Sequence, residues 1–255
     1  MLAWIQINTE SQCLKMTVDY QLLMPQYEGV YDKGCVERSG PYPVLYLLHG
    51  KRGDGTEFLR YSSLERYIWG LPIAVALPNG HNSWFRNLDN GLHYADFILH
   101  EIPRKTEEWF NVSSEVRFVG GYSMGGYGAL HAALTCPEQF SRVISLAARI
   151  DGYDATCRGN KDLAELIFGK QNEHAKNGAD LFALAEKSAA SPSKPVFYIS
   201  CGKNDHRLEN NERFAEHLDK LGFSVNFVAE EGGHDWDYAD GAIRKAIAWL
   251  DKEVL

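Results

Sequence analysis

The stretch VRFVGGYSMGGYGALHAAL, Val116 to Leu134, constrains this chain more than any other. Its first part is the β-branched and aromatic run of a buried strand, and its last part has the alanine and leucine content of a helix. Only the turn GYSMG joins them. So abrupt a passage from strand to helix needs backbone freedom and close approach, which Gly121 and Gly125 supply by lacking a Cβ. The G-x-S-x-G spacing then lifts the Ser123 hydroxyl above the end of the strand, beside a helix N-terminus whose free N–H groups favour developing negative charge. A bare G-x-S-x-G also occurs as an ordinary glycine-rich turn. Here the strand before it and the helix after it favour a nucleophile.

The rest of the chain extends the same rhythm. AWIQI and KMTVDYQLLM read as two strands of a hairpin, followed by a Gly- and Pro-containing loop and the buried run PVLYLL. Helical spacing over Glu57 to Trp69, the strand PIAVALP, and an amphipathic segment His93 to Phe110, which Pro103 should kink unless it sits near a first turn, come next. Beyond Ser123 lie the strands RVISLA, PVFYIS and SVNFVAE, the helix ERFAEHLDKLG and a C-terminal helix. This alternation predicts an α/β domain with a mostly parallel sheet, helices on both faces, and a ligand site beyond the carboxyl ends of the strands. No repeat or linker interrupts it, so residues 1–255 read as one domain. Residues 148–194 carry helical but no strand patterning, long for a connection of this kind, and are expected to form a cap over the site, the alternative being helices packed on the side of the domain or on another subunit.

With 255 residues and ordinary apolar content the chain can bury a large core without staples. A formal net charge of −8 argues against binding nucleic acid or anionic membrane. No apolar run spans a bilayer, and MLAWIQINTE lacks the pattern of an export signal, so a cytoplasmic location is expected. Cys13, Cys35, Cys136, Cys157 and Cys201 are scattered without a C-x-x-C pair, which points to reduced thiols rather than disulfides or zinc.

A serine hydroxyl attacks a carbonyl only when a base takes its proton and an acid fixes the base's tautomer. Of the five histidines after Ser123, His131 and His217 fall within helical patterns, His174 in a polar stretch, and His206 directly after Asp205. His234, in EEGGHDWDY, sits on a glycine-flanked loop between the last strand and the last helix and is the expected base. A metal site on His234, Asp235 and Asp237 lacks a second histidine at ligand spacing. Asp205 and Asp151 each follow a strand at the proper edge. Position favours Asp205 without excluding Asp151. The backbone N–H of Lys51, after YLLHG, and that of Met124 are placed to hold an oxyanion, and Trp84 in LPNGHNSWF could wall an acyl pocket. The loop after Gly50 lacks the full P-loop pattern.

Taken together, YLLHG, LPNGHNSW, GGYSMGGYGAL, DLFALAEK, SCGKNDHRLENNERFAEHLDKLG and EGGHDWDY resemble the esterase D-like branch of the α/β-hydrolases, in particular its tributyrin, feruloyl and acetyl esterases. The resemblance implies Ser123 as nucleophile, Asp205 as acid, His234 as base, and Lys51 and Met124 as oxyanion donors. It also implies a cofactor-free serine carboxylesterase acting on small short-chain acyl esters. Thioesterases of the S-formylglutathione hydrolase type and acyltransferases share this fold, and self-association into a homo-oligomer is left open. The loop with Lys51, Arg52 and Asp54 is more charged than relatives often have.

Overall fold

In the computed structural model, which describes residues 2–26 and 40–254, eight strands form one sheet. They are β1 (Leu2–Ser11), β2 (Met16–Pro25), β3 (Tyr42–Leu48), β4 (Ala74–Pro78), β5 (Val112–Tyr122), β6 (Arg142–Leu146), β7 (Val196–Gly202) and β8 (Ser224–Glu230), in the order β1-β2-β4-β3-β5-β6-β7-β8. The hairpin β1–β2 is antiparallel, β2 pairs antiparallel with β4, and every later pairing is parallel. The Gly- and Pro-containing loop expected after β2 falls largely outside the described residues.

Strands β3 and β4 are buried along their whole length, the signature of parallel strands covered on both faces. Their side chains alternate between two cores. Val44, Tyr46 and Leu48 join the cluster around the helix Met124–Thr135, while Leu45 and Leu47 join the cluster under the helix Trp236–Val254.

Three local departures from the sequence pattern have visible causes. The segment expected as one helix from Glu57 to Trp69 is two short ones, Glu57–Tyr61 and Leu64–Tyr67. At the break the Ser62 hydroxyl donates to the Phe58 carbonyl (2.6 Å) and the Ser63 N–H donates to Asp240 (2.7 Å), so side chains replace the helical ladder. Pro103 sits in the first turn of Ile102–Trp109, directly after a π-helical turn at Phe97–Glu101 that accommodates it.

The third concerns residues 148–194, where four short helices run Gly152–Cys157, Lys161–Phe168, His174–Asn177 and Leu181–Ser188. Every residue from Met124 to Leu134 is buried, so the helix carrying them needs cover on its outer side as well as against the sheet. Ile167, Phe168, Leu181, Leu184 and Ala185 supply it. The Tyr127 hydroxyl donates to the Ala179 carbonyl (2.9 Å). The buried Arg86 guanidinium donates to the carbonyls of Ile167 (3.2 Å), Asn177 (3.1 Å) and Gly178 (2.9 Å). The segment therefore packs along the flank of the domain, where a cap over the mouth was expected.

Candidate active site

Strand β5 ends at Tyr122, the helix begins at Met124, and Ser123 between them has φ 57° and ψ −109°. Such a conformation is costly for a residue with a Cβ and persists only where its surroundings impose it. Here the Ser123 N–H donates to the Leu146 carbonyl (2.8 Å), and its own carbonyl accepts from the N–H groups of Tyr127 (3.1 Å) and Arg149 (3.2 Å). A Cβ on Gly125 would lie 2.0 Å from the Leu48 carbonyl oxygen, and one on Gly121 2.3 Å from the Gly125 backbone. Both glycines are thus required by contact.

The three residues singled out in the sequence meet at this turn. His234 Nε2 lies 2.9 Å from Ser123 Oγ, and His234 Nδ1 lies 2.7 Å from Asp205 Oδ2. The Asp205 carboxyl is buried, which alone would raise its pKa. The hydrogen bond from His234, the N–H of Arg207 and the charges of both residues outweigh burial and hold it at about 2. An ionised carboxylate only accepts, so Nδ1 of His234 carries the proton and Nε2 is left to accept from the Ser123 hydroxyl. Oδ1 of Asp205 is filled by the Arg207 N–H (3.0 Å) and guanidinium (2.9 Å). The Tyr122 ring stacks on the His234 imidazole, with centroids 4.8 Å apart and planes at 21°. Asp151 stands apart, paired with Arg149 Nε at 2.9 Å.

Above Ser123 opens a cavity of about 480 Å³ lined by Lys51, Met124 and Trp84 among others. Among the described residues, neither the Lys51 nor the Met124 N–H has a protein acceptor. The peptide that carries the Lys51 N–H is held from its other side: the Gly50 carbonyl accepts from His49 Nδ1 (2.7 Å) and from the Gly53 N–H (3.1 Å). In a trans peptide C=O and N–H point opposite ways, so this clamp fixes the aim of the donor. Nε2 of His49 accepts from the Gly80 N–H (2.9 Å). Both bonds together need neutral imidazole, and burial pushes the His49 pKa down to about 4. Gly80 belongs in turn to the loop that carries Trp84, where the Ser83 hydroxyl donates to the Gly80 carbonyl (2.6 Å).

Trp84 is 2% exposed and packs edge-on against Tyr127 and Phe168, so it is both core and cavity wall. Among the described residues of 148–194, only Arg149 lines the cavity. Sequence reasoning passed over Arg149, Arg207, Tyr122 and the role of His49. The first two follow β6 and β7 at the same sheet edge as the chosen residues, a signal that could have found them.

A strained serine at a strand-to-helix turn, hydrogen-bonded to a histidine that is held by a buried carboxylate, on a mostly parallel sheet, defines the serine hydrolases of the α/β-hydrolase fold. The chain belongs to the esterase family: the family model described as "Putative esterase" matches residues 12–249. It is 29% identical to the acetyl esterase of Caldicellulosiruptor saccharolyticus, over 98% of this chain and 99% of that one. A substrate-bound fluorophosphonate-binding serine hydrolase of Staphylococcus aureus superposes with a TM-score of 0.87 at 30% identity, covering 98% of each chain. An S-formylglutathione hydrolase of the same organism gives 0.83 at 29% identity, over 98% of this chain and 99% of that one. The protein is a serine esterase acting on small ester substrates. Among the described residues no helix is long and apolar enough to cross a membrane.

Proposed function

We propose that this esterase hydrolyses short-chain acyl esters through an acyl-enzyme on Ser123. His234 takes the Ser123 proton as the hydroxyl attacks the carbonyl, and the imidazolium is stabilised by Asp205. The N–H groups of Lys51 and Met124 receive the negative charge that develops on the carbonyl oxygen. His234 then returns the proton to the leaving alcohol, and water repeats the sequence to release the acid. The observation that carries this reading is the unbroken run from Ser123 Oγ to His234 to Asp205 at the floor of a cavity with two free N–H groups. The bulk of Trp84 in its wall favours small acyl groups.

A fluorophosphonate should label the protein stoichiometrically at Ser123, and Ser123→Ala should lose both labelling and turnover of 4-nitrophenyl acetate and butyrate while keeping its melting curve. Labelling elsewhere in the intact protein would overturn the assignment. The likeness to the S-formylglutathione hydrolase supports a second reading, a thioesterase. Comparing kcat/KM for S-formylglutathione with that for the acetyl, butyryl, octanoyl and feruloyl esters separates the two.

A further inference from the structure

The cavity wall carries four cations, Lys51, Arg52, Arg149 and Arg207, in a chain whose formal net charge is −8. They approach Ser123 from two sides. Lys51 and Arg52 follow β3, whereas Arg149 follows β6 and Arg207 follows β7. The acids at the same wall are already engaged. Glu57 accepts the Gly50 N–H (2.6 Å), and Asp235 accepts the Tyr238 N–H (2.9 Å). Asp205, buried behind the wall, serves His234 and Arg207.

The cations are less fully matched. Among the described residues Lys51 and Arg52 form no ion pair. The Arg207 guanidinium pairs with Asp205 through one nitrogen while its Nε is buried without a hydrogen-bond partner, and Arg149, paired with Asp151 and donating to His206 Nε2 (2.7 Å), has only 13% of its side chain exposed. Burial, and then the neighbouring charges of Arg207 and Arg158, lower the Arg149 pKa against the pull of Asp151 and Asp205, so an added anion would relieve it. A neutral acetyl or butyryl ester uses none of these charges.

Resting on the esterase reading, we propose that the preferred substrates are esters carrying an anionic group within a few bonds of the scissile carbonyl, held by Arg149 and Arg52 with Lys51 and Arg207 adding to the field. Guanidinium forks suit planar carboxylates, and a charge-assisted pair of this kind corresponds to roughly ten- to hundred-fold in kcat/KM.

Two matched pairs test it, each rate divided by that of the same ester with hydroxide. On the acyl side 4-nitrophenyl hemisuccinate replaces the terminal methyl of 4-nitrophenyl butyrate with a carboxylate. On the alcohol side 3-acetoxybenzoate does the same to 3-acetoxytoluene. The expected result is an anionic-to-neutral ratio of roughly ten or more in one pair, which identifies the end recognised, falling towards one in Arg52→Gln and Arg149→Gln and as salt is raised. Arg149→Lys should restore part of the ratio. The ratio is read within each variant, so a partly folded protein does not mimic the effect. Ratios at or below one in both pairs, or a preference unmoved by either Gln variant, overturn the proposal while leaving an esterase of neutral substrates. Failure to turn over any of the four esters would instead remove the esterase reading beneath it.

Discussion

At the scale of single residues, Asp205 and Asp151 make an internal comparison. Both follow a strand at the carboxyl edge, yet only Asp205 reaches His234. Asp205→Asn should lower kcat by roughly 10⁴-fold, as loss of the tautomer-fixing carboxylate does in serine proteases, and Asp151→Asn far less. Steady-state rates on one neutral ester check both, and a reversal would move the acid to Asp151. His49→Ala should act differently. It leaves Ser123, His234 and Asp205 in place but releases the Gly50–Lys51 peptide, so kcat should fall by roughly 10²-fold, near the effect of losing one oxyanion donor, with KM little changed. Ser123 and His234 were legible because glycines and strand ends mark such positions in the sequence. His49 was not, because its role depends on complete burial and on a carbonyl contact, neither of which spacing encodes.

At the scale of elements, the two glycine types in the helices behave oppositely. Gly125→Ala would drive a Cβ into the Leu48 carbonyl, whereas a Cβ on Gly241, in the C-terminal helix, meets nothing within 4 Å. Thermal unfolding should therefore show Gly125→Ala strongly destabilised and Gly241→Ala more stable by about 0.5–1 kcal/mol. The helices of residues 148–194 could be anticipated from their apolar spacing, but the surface they cover could not. That was decided by a neighbour, the helix Met124–Thr135, which is apolar all round and leaves an outer face to be sealed. Phe168→Ala should in consequence cost about 3–5 kcal/mol of stability, in the range for buried aromatics, as measured by denaturant unfolding. If Phe168→Ala left stability intact and only widened acyl preference, the segment would have to be regarded as a cap after all.

At the scale of the whole molecule, pH probes the buried charges together. The folded His49 titrates near 4 against an ordinary 6.5, so between these values the unfolded chain binds the proton first and stability falls as pH drops. Glu101 is the opposite case. Burial would raise it, but the Cys13 N–H, Lys105 and the Ser11 hydroxyl hold it at about 2 against an ordinary 4.5, tying the β1–β2 turn to the helix Ile102–Trp109. Asp205 shares its sign, and the stability these carboxylates contribute is lost as pH falls from about 4.5 towards 2. Burial and the charge of Arg86 hold His131 well below its ordinary value as well, so it adds to the same loss as His49. Melting temperature against pH should accordingly decline in two stages, and His49→Ala should reduce the upper one without removing it. The alternation of strands and helices made the parallel sheet and its opening hairpin readable from the sequence, because both follow from hydrophobic period alone. The network around Glu101 joins residues some ninety positions apart and is invisible to any local pattern.

The bonds from the Gly80 N–H to His49 and from the Arg52 N–H to Asn82 couple two loops distant in the sequence, the one aiming the Lys51 donor and the one bearing Trp84. Room for the acyl group and stabilisation of the charged intermediate are therefore not independent variables in this scaffold. A library randomised over His81 to Trp84 should trace a single trade-off curve, in which variants that admit bulkier acids turn over more slowly. Compensating changes should emerge around His49 and Gly53 rather than within the randomised loop.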